Sequence, residues 1–98
     1  VQVFANESDG RVLTVCLEKL IANPQYEATG QLRKIMLEGA PELSQLAHDA
    51  LVAAFGVDKG WLPAMWELWF IEGEKQGDPG RLGVFTQQQA RRAQAPQP

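Results

Sequence analysis

The sequence predicts an all-α fold, a single small domain of four or five helices in an irregular bundle, and three observations carry that prediction. Apolar residues recur at helical spacings of three and four through most of the chain, while alternation is confined to its first few residues. Helix punctuation accompanies them: Asp9, Thr29 and Asp58 stand where caps are wanted, Pro41 and Pro63 where a first turn accepts proline, and Gly39 and Gly56 where helices stop. Length limits the chain to one core, because 98 residues split in two would leave each half too small to bury enough apolar surface.

Taken in order, Val1, Val3 and Ala5 alternate with Gln2 but Phe4 breaks the pattern, which suits a short extended arm. Residues 9–22 predict a helix, with Val12, Leu13, Cys16, Leu17, Leu20 and Ile21 on one side, Ser8 or Asp9 as cap and Asn23-Pro24 as stop. A hairpin pairing 1–5 with 12–17 competes, since Val12, Thr14 and Val15 are β-branched. After a turn at 24–29, a helix over 30–38 is expected to turn Leu32, Ile35, Met36 and Leu37 inward, with Thr29 as cap and a left-handed Gly39 as stop.

Pro41 then opens the most strongly patterned helix, in which Leu43, Leu46, Ala47, Ala50, Leu51, Ala54 and Phe55 make one stripe up to Gly56. Asp58 is expected to cap a tryptophan-rich helix that accepts Pro63 in its first turn and runs to about residue 72. The glycines at 73, 77, 80 and 83, with Asp78-Pro79, predict a loop, after which Val84 and Phe85 anchor back on the core. Thr86 and Gln89 have capping-box spacing for a short, almost wholly polar helix through 93. On this basis residues 1–86 form the helical domain and 87–98 a frayed helix with a flexible Gln/Ala/Pro tail. The helix over 41–55 is expected to pack against the tryptophan helix and the helix over 9–22.

The net charge of −3 is unevenly placed. Residues 41–80 hold Glu42, Asp49, Asp58, Glu67, Glu72, Glu74 and Asp78 against Lys59 and Lys75, while Arg81, Arg91 and Arg92 are the only charges that follow. An acidic body does not attract phosphate backbones, so nucleic acid is not expected as the main partner. Cys16 is the single cysteine and cannot close an internal disulfide, which points to a reducing compartment such as the cytoplasm. With the single His48 it also falls short of a metal site, and no metal or cofactor is expected. No apolar run approaches the roughly 20 residues of a membrane helix. A start at Val1 rather than Met suggests a piece of a longer polypeptide.

Candidate chemistry is sparse. Ser44 and His48 are four apart on one helix face, which would allow a hydrogen bond, but Asp49 is expected to point about 100° away from His48 and so not to orient it. A solvated surface histidine is therefore expected. Cys16 falls on an apolar face, where an inert thiol is the default. Glu72, Glu74 and Asp78 lack the alternate-position ligands and closing glutamate of a calcium loop. Gly80-Arg81-Leu82-Gly83 lacks the strand-to-helix setting of a phosphate loop.

Two wider patterns bear on function. Leu51, Phe55, Gly56, Val57, Leu62 and Met65 fit a helix-turn-helix, but its second helix offers Lys59 alone as a donor to bases and phosphates. In the tryptophan helix, steps of about 100° per residue spread Leu68, Met65, Trp69, Leu62, Trp66 and Phe70 over an arc of roughly 200°, about twice what one core needs. Ile71 lies beyond the arc. Either the helix is central and covered on two sides, or part of that arc faces solvent, and in the second case Trp61, Met65, Trp66, Trp69 and Phe70 are the candidate partner-binding residues. The function expected is a protein–protein interaction module, binding a partner segment or self-associating through this helix and the following loop. The alternatives are a helix-turn-helix DNA-binding domain and a small ligand-binding or catalytic domain using a pocket near His48.

Overall fold

The computed structural model describes residues 9–94, so the arm expected at 1–5 and the end of the tail lie outside the described residues. Five α-helices follow in order: α1 (Gly10–Ala22), α2 (Thr29–Glu38), α3 (Pro41–Phe55), α4 (Pro63–Lys75) and α5 (Leu82–Ala93). Single 3-10 turns sit at Tyr26–Ala28 and Pro79–Arg81. No strand occurs among the described residues, and 12–17 lie in α1 rather than in a hairpin. Asp9 caps α1 by accepting the Arg11 N–H at 2.9 Å. Leu13, Leu17 and Leu20, at spacings of four and three, are its buried face.

The centre of the fold is α3, which packs extensively against both α1 and α2. Ala47, Ala50 and Ala54 are buried along it, and such small side chains let neighbouring helices come close. The left-handed stop belongs to its last residue's neighbour, Gly56, at φ 73°. Gly39 differs from expectation: it leaves α2 extended, at φ −76°, and a side chain there would meet the Ile35 carbonyl at 2.6 Å. Two further corrections concern α2. Thr29 lies inside it rather than capping it, because the 3-10 turn runs straight into the helix. Leu37 is 70% exposed, not inward.

Phe55, at the end of α3, gathers the remaining helices. Trp69 and Phe70 of α4 and Phe85 of α5 surround its ring at centroid distances of 5.4, 5.3 and 6.0 Å, all near edge-to-face. The expected contact between α3 and the tryptophan helix is thus an aromatic one at the end of α3, while along its length α4 lies nearer to α2.

The region 73–83, expected as a loop, is mostly helical. α4 continues through Gly73 to Lys75, and α5 begins at Leu82, four residues before the Thr86 expected to cap it. Arg81 explains both. With Gly80 it adopts left-handed geometry, at φ 55° and 66°, which turns the chain back so that its guanidinium lies 4.6 Å over the Trp69 ring. Its Nε donates to the Trp69 carbonyl at 3.1 Å. A left-handed non-glycine residue costs roughly 1–2 kcal/mol, and these contacts offset it. Gly73 is where the Arg81 side chain crosses α4, and a methyl group there would collide with its Nε and Cδ. A glycine inside a helix is usually a weakness; here it marks a close approach.

The polar helix α5 runs from 82 to 93 and is tied to the other helices by side-chain hydrogen bonds. Gln89 Nε2 donates to the Ala54 carbonyl at 2.9 Å. Arg92 donates to Ala53 at 3.2 Å, to Ile21 at 3.2 Å and to Ala22 at 3.1 Å. Those carbonyls close α3 and α1 and have no partner within their own helices, so a cation there satisfies both orphan acceptors and helix dipoles. The part of the expected tail that the structure describes is a clamp.

Two stability predictions follow from this packing. Phe55→Ala should cost about 3–5 kcal/mol in denaturant titration, as a truncated core aromatic does. Gly73→Ala, which would stabilise an ordinary helix interior by about 1 kcal/mol, should instead destabilise, and should turn stabilising when combined with Arg81→Ala. A stabilising effect in the presence of Arg81 would show that the crossing at Gly73 is wrong.

Candidate functional site

The tryptophan helix α4 has two different faces. Trp66, Trp69, Phe70 and Gly73, spaced by three, four and seven, point inward. Trp66 is 0% exposed, and its indole Nε1 donates to the Gly60 carbonyl at 2.9 Å. It therefore has no surface to give a partner, contrary to its place among the candidate residues. Trp69 and Phe70 are half-buried beneath cations: Arg33 lies 4.8 Å over Phe70, and Arg81 and Lys59 lie 4.6 and 5.7 Å over Trp69. These two rings are largely spent on the core.

The outer face carries the opposite set. Trp61 is 50% exposed, Leu62 66%, Met65 49%, Leu68 60% and Ile71 44%. Met65, Leu68 and Ile71 recur every three residues on the outer side of α4, in an arc they share with Glu72 and Lys75, and Trp61 and Leu62 lie in its approach. Of the expected contact residues the structure leaves Trp61 and Met65 open to solvent. Leu62, Leu68 and Ile71, also exposed, are absent from the expected set because tryptophans weigh most in a hydrophobic wheel. The spacing 66, 69, 70, 73, ending on a glycine, was the available sign of which side packs.

Trp61 is held in the approach to α4 by a small polar cluster. His48 is buried on α3, and Trp61 lies flat on its ring with centroids 3.9 Å apart and planes inclined by 22°. Nδ1 of His48 is 3.1 Å from Asp49 Oδ1 and Nε2 is 2.9 Å from Asp58 Oδ1. A neutral imidazole donates from one nitrogen only, so both contacts are hydrogen bonds together only in the doubly protonated ring. The expectation that Asp49 points away is corrected: its backbone does, but its side chain swings back to the ring. So is the expectation of a surface histidine, since Trp61 covers it. Asp58 does not cap α4. It accepts the Gly60 N–H at 2.8 Å and ties the linker to α3. The hydrogen bond from His48, and after it the one from Gly60, hold the Asp58 carboxyl below its ordinary value of 3.8.

The remaining candidates are not brought together. Ser44 Oγ donates to the Met36 carbonyl at 2.7 Å, bridging α3 to α2, instead of meeting His48. Cys16 is a half-buried free thiol packed on the core. Among the described residues no group of three or more His, Cys, Asp and Glu side chains is placed to hold a metal ion. No helix of the described residues is long and apolar enough to cross a membrane. The helices α3 and α4 follow one another as a helix-turn-helix would, but α4 presents Glu67, Glu72 and Glu74 beside apolar side chains, with Lys75 in its last turn as its one cation. No protein-family model, curated protein or solved structure matches the chain.

The cluster gives a pH prediction. Because the folded value of Asp58 lies below the ordinary one, its contribution to stability is present above about pH 4 and is lost as pH falls through the folded value. Asp58→Asn removes it, so the urea midpoints of wild type and variant should differ at neutral pH and converge in acid below 3.8. An unchanged gap in strong acid would count against the His48–Asp58 bond.

Proposed function

We propose that this domain is a protein-interaction module that docks a segment of another protein along the outer face of α4, from Trp61 to Ile71. One observation carries the reading: Met65, Leu68 and Ile71 stay exposed on the outer side of α4, with exposed Trp61 and Leu62 just before it, while the other face is already filled by Trp66, Trp69, Phe70 and Gly73. Burying that side in the domain's own core would mean exposing Trp66 and Trp69. Scattered apolar residues on a surface need no explanation, but a contiguous row is the usual mark of an interface. Its make-up agrees, since Trp and Met are enriched at such sites. Stacking on buried His48 also holds Trp61 in place before binding, which lowers the entropy lost on docking.

Neither alternative has an observation of equal weight. DNA binding would need donors and positive charge where α4 carries glutamates. Chemistry at His48 would need a nucleophile or a substrate pocket beside a ring that Asp49, Asp58 and Trp61 already surround.

Peptides selected from a display library against the domain test the reading. Met65→Asp and Leu68→Asp should each weaken the selected binders at least about tenfold, or roughly 1.4 kcal/mol, while leaving denaturant stability within about 0.5 kcal/mol as surface changes do. Val15→Asp, on an exposed apolar position of α1, should leave binding unchanged. Binders indifferent to both α4 substitutions would reject the site.

A further inference from the structure

We propose that His48 is a proton-controlled latch on Trp61: with both ring nitrogens protonated it is fixed between Asp49 and Asp58 and attracts the indole stacked on it, and on losing one proton it loosens that stack. The inference concerns the approach to α4 and does not depend on the docking reading. Each ring nitrogen faces a carboxylate oxygen, Nδ1 that of Asp49 at 3.1 Å and Nε2 that of Asp58 at 2.9 Å. An ionised carboxylate can only accept. Proton loss therefore leaves one nitrogen with its lone pair turned to a carboxylate, on a side chain that is only 6% exposed and has little water to turn to. The stack changes with it, because the face of an indole attracts a cation and a neutral imidazole is none. All three contacts thus strengthen with the same proton.

The surroundings let the cluster respond. Asp49 is half-buried and Asp58 exposed, so either carboxylate can turn to water when its bond fails. Asp58 has a second hold in the Gly60 N–H at 2.8 Å, whereas Asp49 has the longer contacts of Gln45 Nε2, at 3.3 and 3.4 Å. The neutral ring consequently keeps Asp58 and gives up Asp49. The linker itself stays in place, since Trp66 donates to the Gly60 carbonyl whatever the charge on His48. Trp61 has no comparable anchor: it is 50% exposed and stacks on no other ring among the described residues. Asp49 from α3 and Asp58 from the linker are the charged groups that meet the ring. Lys59, next along the linker, lies over Trp69 instead, and among the described residues α1 and α2, which also pack on α3, form no ion pair with His48.

His48 is the chain's one histidine, so its ring signals need no sorting. The test is a nuclear magnetic resonance titration of the intact domain from about pH 5 to 9, bracketing the range in which histidine side chains change charge. Cross-relaxation between the Trp61 and His48 rings should be lost as the ring loses its proton. Asp49→Asn should lower the midpoint by roughly half a pH unit or more, because it removes a charge that favours the proton. An unchanged midpoint in that variant, or a ring that titrates with its Trp61 contact intact, would overturn the latch. So would a ring that keeps one charge throughout. His48→Gln should make the Gly60 and Trp61 amide signals indifferent to pH over the same range, and signals that still move would assign the response to another group. Should His48→Gln fail to fold, the Asp49→Asn comparison, made at a partly exposed position, decides alone.

Discussion

Phe55 is the point on which this small domain turns. It sits in the last turn of α3, just before the left-handed Gly56, and there it meets rings from α4 and α5 that are distant in sequence. Ala47, Ala50 and Ala54 are buried along α3, where small side chains let α1 and α2 come close. Its end holds the rest of the chain by aromatic contact. A domain of this size buries only about two-thirds of its unfolded surface, so concentrating large rings at one junction lets a single helix organise four neighbours.

Everything around that junction keeps the rings in place. Arg81, Lys59 and Arg33 lie over the outer faces of Trp69 and Phe70, using cations where a larger protein would use another layer of apolar residues. Arg92 and Gln89 do the corresponding work for the backbone, closing the carbonyl ends of α1 and α3 from a helix with no fully buried residue. Polar side chains thus take much of the structural load, and arginines that look like surface decoration are placed by their hydrogen bonds.

The same division of labour leaves the outer face of α4 free. Once Trp66 fills the interior and Trp69 and Phe70 close on Phe55, Met65, Leu68 and Ile71 can only face outward. His48 shows how closely core and surface are coupled: it is buried by Trp61, and its ring nitrogens bind carboxylates from α3 and from the linker before α4. The His48 ring thereby joins α3, the linker and Trp61.

Much of this was legible from the residues alone. The all-α class, the positions of α1 and α3 and the anchoring of Val84 and Phe85 follow from apolar spacing, caps and prolines, because those are local preferences that a helix expresses whatever it packs against. An arc on the tryptophan helix too wide for one core was legible too. Which tryptophan lies inside was not, since Trp61, Trp66 and Trp69 are alike in hydropathy and differ only in what lies opposite them. The helical Gly73, the early start of α5 and the role of Arg92 were hidden for the same reason: each depends on a partner eight to seventy-one residues away. Local sequence determines where helices form, whereas long-range contact decides which of their faces are buried and which stay exposed.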